Sequence, residues 1–193
     1  MKIVAITGSI GCGKTTLADQ VRGLGYCVYD VDGWVRRLYF RRDFLSVIEQ
    51  NFPGTVVNGR ADKRKLREIV FNNEEKRKKL EGLIHPFLRE TLKRLIYKNY
   101  RYEELFFIDI ALLFEMGWDK YCDYVIVADV DYEVQKQRVM RRDRISGEDF
   151  DKINNVQLSN DCKKLLADVV IDTDRPLNLL RADLMCIIDG LKD

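Results

Sequence analysis

An apolar run, Ile3-Val4-Ala5-Ile6-Thr7, passes without a break into Gly8-Ser9-Ile10-Gly11-Cys12-Gly13-Lys14-Thr15, and helix-forming sequence follows. The eight residues satisfy G-x-x-x-x-G-K-[ST] in the strand-then-helix context that this pattern needs to form a phosphate loop. Glycines permit backbone angles that other residues resist, so several N–H groups can point into one concavity. The helix that follows adds its positive end. Lys14 can reach the β- and γ-phosphates, and the Thr15 hydroxyl can ligate Mg²⁺. A glycine-rich turn could match by chance, but both flanking elements argue against that. The expectation is a nucleoside-triphosphate site. The motif alone leaves open whether the protein is a switch, a motor or a kinase. No Asn/Thr-Lys-x-Asp guanine reader follows, and 193 residues leave little room for a motor. A small kinase is the leading class.

Four further apolar runs, at residues 26–29, 105–108, 124–128 and 169–171, end at Asp30, Asp109, Asp129 and Asp172. Each is short, β-branched or aromatic, and followed by helical material, which predicts buried parallel strands with ligands held beyond their carboxyl ends. More than seventy residues between the second and third runs carry helical signals and none for a strand. They include 63–71 and 74–98, the latter interrupted by Pro86. The chain is expected to leave the sheet after Asp32, build a helical insert, and return at about Tyr102. Residues 131–142 predict another helix. Ser146-Gly147-Glu148-Asp149 has the form of a capping box before a helix running towards Leu166. Thr173-Asp174-Arg175-Pro176 reads as the start of the last helix, with Pro176 in its first turn.

The length gives one domain, and 46% hydrophobic residues are enough for a substantial core. A net charge of +2 offers no global field for nucleic acid or an anionic membrane, so an anion must be held locally. No apolar run reaches the ~18 residues of a membrane span. The apolar start is too short for an export signal and runs straight into the glycine loop. Five cysteines without a C-x-x-C pair read as reduced thiols, and the expected location is cytoplasmic.

Asp30-Val31-Asp32 falls where an acceptor hydroxyl would approach the loop. A carboxylate accepting the hydroxyl proton suits phosphoryl transfer, which is mostly positioning and charge neutralisation. Two solvated aspartates in a turn are the plain alternative.

From Thr7-Gly8-Ser9-Ile10-Gly11-Cys12-Gly13-Lys14-Thr15-Thr16 through Tyr29-Asp30-Val31-Asp32 and Arg36, the chain resembles the dephospho-CoA kinase family. The resemblance continues in order through Lys65-Leu66-Arg67, Ile69, Phe71, Ile84-His85-Pro86 and Ala111-Leu112-Leu113-Phe114-Glu115. It ends with Gln135, Arg138, Arg141-Arg142-Asp143, Gln157, Lys163 and Ala167-Asp168-Val169-Val170-Ile171. Against the family pattern, Ser9 stands for a usual glycine, Cys12 for serine, Ala111 for proline and Thr173 for asparagine.

The resemblance implies transfer of the ATP γ-phosphate to the ribose 3′-hydroxyl of dephospho-CoA, giving CoA and ADP, with Mg²⁺. It implies an α/β fold of the P-loop NTPase type, a parallel five-stranded sheet flanked by helices with a helical acceptor-binding insert and a lid. On that pattern residues 1–193 form a single kinase domain. Its core spans about 1–30, 103–135 and 167–193, its insert about 31–102 and its lid about 136–150. Asp32 matches the base, with Lys14 and Arg142 as its catalytic companions. Gly8, Gly11, Cys12, Gly13, Lys14, Thr15, Thr16, Arg138 and Arg142 match the ATP site, and Asp32, Arg36 and His85 the acceptor side. The expected partners are ATP and dephospho-CoA, with no nucleic acid or membrane, for a monomer or small homo-oligomer.

Other candidates have plainer readings beside them. Arg138 and Arg142 share a helix face and could close over phosphates, or form a solvated basic face. His85 is the only histidine and precedes Pro86. Acceptor positioning or a break in the insert fits it better than proton abstraction. For the metal, Thr15 is joined by Asp109, an aspartate closing an apolar strand. Asp129 has the same form, and Asp109 ranks first because the third run is the expected neighbour of the first strand. The Cys12 thiol, beside Lys14 and a helix N-terminus, is expected to favour thiolate and to be alkylated, or else to be a small inert buried residue. Trp34 and Trp118 could stack on adenine or border the acceptor cleft, or serve the core. A nucleoside or nucleotide kinase of the same fold and a non-catalytic ATP-binding regulator are the alternative functions.

Overall fold

The computed structural model describes residues 1–71, 73–101 and 104–192. The chain begins with β1 (Lys2–Thr7), α1 (Lys14–Gly23) and β2 (Val28–Asp30). Then come α2 (Val31–Leu38), α3 (Arg42–Asn51), β3 (Val56–Val57), β4 (Arg60–Ala61), α4 (Lys63–Phe71) and α5 (Glu74–Asn99). After β5 (Leu105–Asp109), a 3₁₀ turn (Asp119–Tyr121) and β6 (Tyr124–Asp129), the chain forms α6 (Tyr132–Asp143), α7 (Gly147–Asn154), α8 (Asn160–Leu165), β7 (Val169–Asp172) and α9 (Leu177–Lys192). It divides into two compact units, Met1–Asp30 with Tyr100–Asp193, and Val31–Asn99. The expected return at Tyr102 lies outside the described residues.

The first unit is a five-stranded parallel sheet in the order β2-β5-β1-β6-β7. Val4, Ala5 and Ile6 of the central strand are all fully buried, so β1 is covered on both faces, which is why its sequence is apolar without alternation. On one face Leu17, Ala18 and Val21 of α1 pack with Leu180, Leu184 and Ile188 of α9 over Val4, Ile6, Phe107 and Ile126. Full burial of such side chains is worth about 1.5–3 kcal/mol each. At the amino ends of the strands, Asp123 accepts a hydrogen bond from the Ile3 N–H (2.7 Å) and Asp168 one from the Val125 N–H (2.7 Å). At the carboxyl ends, Ile6 is level with Asp109 and Asp129 with Asp172, which gathers the polar residues along one edge.

In the second unit, α2, α3 and α4 each pack on α5, which buries Leu80, Ile84, Leu88 and Leu92 at four-residue spacing. This unit departs from the sequence expectation in two ways. Pro86 does not interrupt the helix but lies inside it. Its missing N–H and ring cost an α-helix about 3 kcal/mol, which the apolar stripe on both sides of it offsets. Residues 56–61 form a small antiparallel hairpin where no strand was expected. Asn58 (φ 50°) and Gly59 (φ 71°) supply the two left-handed residues of a two-residue turn.

Three boundaries also differ. Asp32 lies not at a strand end but in the first turn of α2. Pro176 immediately precedes α9 instead of lying in its first turn. The single helix expected from Ser146 to Leu166 is two, each begun by a serine whose side chain accepts from the N–H three residues on. The break at residues 155–159 has a tertiary cause described below.

Because the Pro86 ring is exposed, Pro86→Ala restores a helix hydrogen bond and loses little packing. It is expected to stabilise the chain by about 1–3 kcal/mol in urea denaturation; a loss of stability would show that the ring is needed.

Candidate active site

The loop between β1 and α1 holds the sheet's central position. Gly13 is the N-cap of α1 and has no side chain to bond the exposed N–H groups of the first turn. The first N–H groups of any helix lack intrahelical partners, and with no capping side chain from Gly13 this end of α1 suits an anion. Two glycines are required by space as well as by backbone angle. A side chain at Gly11 (φ 81°) would begin 2.5 Å from Val139 Cγ2, and one at Gly13 (φ 80°) 2.5 Å from Thr173 Oγ1.

The loop's outward-facing groups are engaged by side chains distant in sequence. Asn160 Oδ1 accepts from the Ser9 N–H (3.2 Å) and Gln157 Oε1 from the Ile10 N–H (2.9 Å). Gln135 Nε2 donates to the Ile10 carbonyl (2.7 Å), and Thr173 Oγ1 to the Cys12 carbonyl (2.9 Å). Gln157 and its neighbours lie in the break between α7 and α8. A continuous helix would carry the Gln157 amide away from the loop, so these contacts explain the break.

Lys14, at the start of α1, forms an ion pair with Asp109 at the end of β5, both side chains mostly buried. Both β5 and β6 neighbour β1, so adjacency does not separate Asp109 from Asp129. Their partners do: Asp129 is bonded by Asn160 and Lys164, and Asp109 by Lys14. Thr15 is exposed at the head of α1, and Thr16 is half-buried. Arg138 on α6 donates to Thr173 Oγ1 (3.2 Å) and to Asp174 (2.6 Å), and so reaches the loop through Thr173. Arg142, one turn on, is largely exposed and pairs with Asp143, which holds the guanidinium pKa up.

Cys12 contradicts the expectation of a reactive thiolate. It is fully buried, and burial, with the charge of Asp129 second, pushes its pKa up to about 12. Lys163 and Arg138 pull the other way without prevailing. The helix N-terminus cannot compensate for the loss of water around the sulfur. Trp34 and Trp118 are core residues.

The acceptor-side candidates belong to the second unit. Asp32 and Arg36 are one turn apart on α2. His85 lies within α5, half-buried, and burial lowers its pKa. It is no helix break, since α5 runs straight past it. Gln135, Gln157, Asn160, Thr173 and Lys163 form the loop's surroundings, and sequence reasoning gave none of them a role there. The family resemblance marks Gln135, Gln157 and Lys163 by position, but no local charge or spacing pattern ties any of the five to the loop.

A parallel α/β sheet with this loop at the head of its central strand defines a nucleotide-binding protein of the P-loop type. A profile described as dephospho-CoA kinase matches residues 2–178. A dephospho-CoA kinase of Bartonella henselae is 39% identical over 192 residues, covering 99% of this chain and 98% of its own. A solved structure from Thermus thermophilus has a TM-score of 0.88 at 32% identity, covering 100% and 98% of the two chains. The dephospho-CoA kinase of Campylobacter jejuni has a TM-score of 0.72 at 25% identity, covering 98% and 96%. The chain belongs to the dephospho-CoA kinase family and is a kinase. No helix among the described residues is long and apolar enough to cross a membrane.

Iodoacetamide on the native chain should label the exposed Cys27, Cys162 and Cys186 and spare Cys12. Peptide mass mapping reads the result, and early labelling of Cys12 would mean that burial does not control this thiol.

Proposed function

We propose that the chain transfers the γ-phosphate of ATP to the ribose 3′-hydroxyl of dephospho-CoA, forming CoA and ADP in the cytoplasm. The family match across residues 2–178 carries this reading. The uncapped, glycine-built start of α1 supports it with a site suited to a polyphosphate.

In this reading the N–H groups of Gly11, Gly13 and the first turn of α1 hold the β- and γ-phosphates, with Gly8 allowing the close approach of Ala128 behind the loop. Lys14 leaves Asp109 for the phosphates and balances charge as the phosphoryl group moves. Arg138 and Arg142 lie along the 136–150 lid, and Arg142 is exposed enough to swing onto the triphosphate. Asp32 accepts the proton of the 3′-hydroxyl, with Arg36 beside it on α2 and His85 in α5 binding the acceptor.

Mg²⁺ suits the oxygens present: the Thr15 hydroxyl and the Asp109 carboxylate are hard donors, and such sites take their remaining ligands from phosphate and water. When bound, the ion would neutralise charge on the phosphate oxygens.

Incubation with ATP and dephospho-CoA should release ADP in step with CoA. Nucleosides and nucleoside monophosphates should give far less, and omission of acceptor almost none. Preferential use of a monophosphate would reassign the acceptor, and the absence of turnover with every acceptor would leave only nucleotide binding. Asp32→Asn should bind ATP normally while turnover falls by about 10²–10⁴-fold, the usual contribution of a positioned base. Near-normal turnover would remove Asp32 from that role. Lys14→Ala should impair ATP use with any acceptor.

A further inference from the structure

Lys163 is fully buried, at 0% exposure, yet ionisable. Its Nζ donates to the Ala111 carbonyl (2.9 Å) and to Glu115 Oε1 (3.0 Å). The same Glu115 oxygen accepts from the Leu158 N–H (2.8 Å), and the Leu158 carbonyl accepts from Ser9 Oγ (3.4 Å). Leu158 lies between Gln157 and Asn160, which hold the Ile10 and Ser9 N–H groups. Ala111 is two residues beyond Asp109, the partner of Lys14. These contacts close a ring: loop, strap 157–160, Glu115 with Lys163, the segment after β5, Asp109, Lys14, and the loop again.

A buried ammonium is a poor way to add stability, because desolvating Lys163 consumes most of its attraction to Glu115, whose side chain stays 21% exposed. What the pair supplies is direction. The ammonium fastens the carboxylate and the carbonyl at fixed angles, and through them the strap and the Asp109 segment keep one register relative to the loop. The loop needs that register. With the N–H groups of Ser9 and Ile10 drawn outward by the strap, the backbone can turn the later N–H groups inward as an anion cradle.

We infer that Lys163, with Glu115, is a positioning residue for the nucleotide: it acts through the strap at Gln157–Asn160 to hold the phosphate loop in its binding form and never touches the ATP. The inference rests on the loop being an ATP site, and its test does not require the acceptor to be dephospho-CoA.

Lys163→Met alone would leave the Glu115 carboxylate without its ammonium partner, so it is combined with Glu115→Gln. Gln157→Met, at a half-buried position, severs the strap from the loop independently. For both variants and the unaltered protein, thermal melting checks folding and calorimetry reads the Kd for MgATP. Steady-state kinetics gives KM for ATP and for dephospho-CoA, and hydrogen exchange follows the amide of Ile10. The expected result is a rise of about tenfold in Kd and KM for ATP, the scale of one lost hydrogen bond. KM for the acceptor should stay within about twofold, and the Ile10 amide of Gln157→Met should exchange at least about tenfold faster.

Unchanged ATP affinity in folded variants would overturn the inference. So would a joint rise of both KM values in step with a lower Tm, which marks a merely structural pair. If the double variant does not fold, Gln157→Met decides the question alone. If the unaltered protein binds ATP but does not phosphorylate dephospho-CoA, the functional reading fails, and the calorimetry still tests this one.

Discussion

A loop in which three of six residues are glycine does not hold its shape unaided, because glycine brings no side chain to pack and the greatest conformational freedom to lose. The phosphate loop depends on other parts of the chain for its conformation. Gln135, Gln157, Asn160 and Thr173 bond its backbone groups one by one. Val139 and Thr173 close off the space that side chains at Gly11 and Gly13 would need. An anion cradle is therefore assembled from α6, the α7–α8 break and the turn after β7 as much as from the motif itself.

The sheet keeps these suppliers in place. Its strands are parallel, so their carboxyl ends lie on one edge, and Asp109 and Asp129 emerge on either side of β1. The two aspartates have diverged in task through their neighbours. Asp109 faces the loop lysine, while Asp129 anchors Asn160 and Lys164 and so serves the strap. Aspartates at the opposite edge, Asp123 and Asp168, bond the N–H groups at the starts of β1 and β6. Charge is thus placed on both rims, and among the described residues Asp109 and Lys163 are the charged ones that are buried.

Much of the fold was legible in the chain. Unbroken β-branched and aromatic runs announce strands buried on both faces, and Ser146 with Asp149 marks a helix start. Asn58-Gly59 is an equally local signal for the hairpin, but it stands among helix-forming residues that mask it. Pro86 carries a local helix penalty that the buried apolar stripe of α5 overrides, and that burial is not a local property. Cys12 misled for a related reason: a helix N-terminus and a lysine favour a thiolate only if water reaches the sulfur, and exposure is a property of the packed molecule. The loop residues could be read as a unit because they are contiguous. Their supporting amides could not, since Gln157 and Asn160 lie about 150 positions from the groups they bond.

The amino-acid order by itself determined the strand-loop-helix motif, the apolar runs that must become a buried parallel sheet, and membership in a family. All of these are written in contiguous residues or in an ordered series of short motifs. Only the tertiary structure decided which aspartate meets Lys14, where the helix after Ser146 breaks, and whether the thiol in the loop can ionise. It also decided that a lysine would be sealed from water beneath the site. Each of those outcomes turns on burial and on contacts between distant segments, quantities that exist only once the chain has closed around its core.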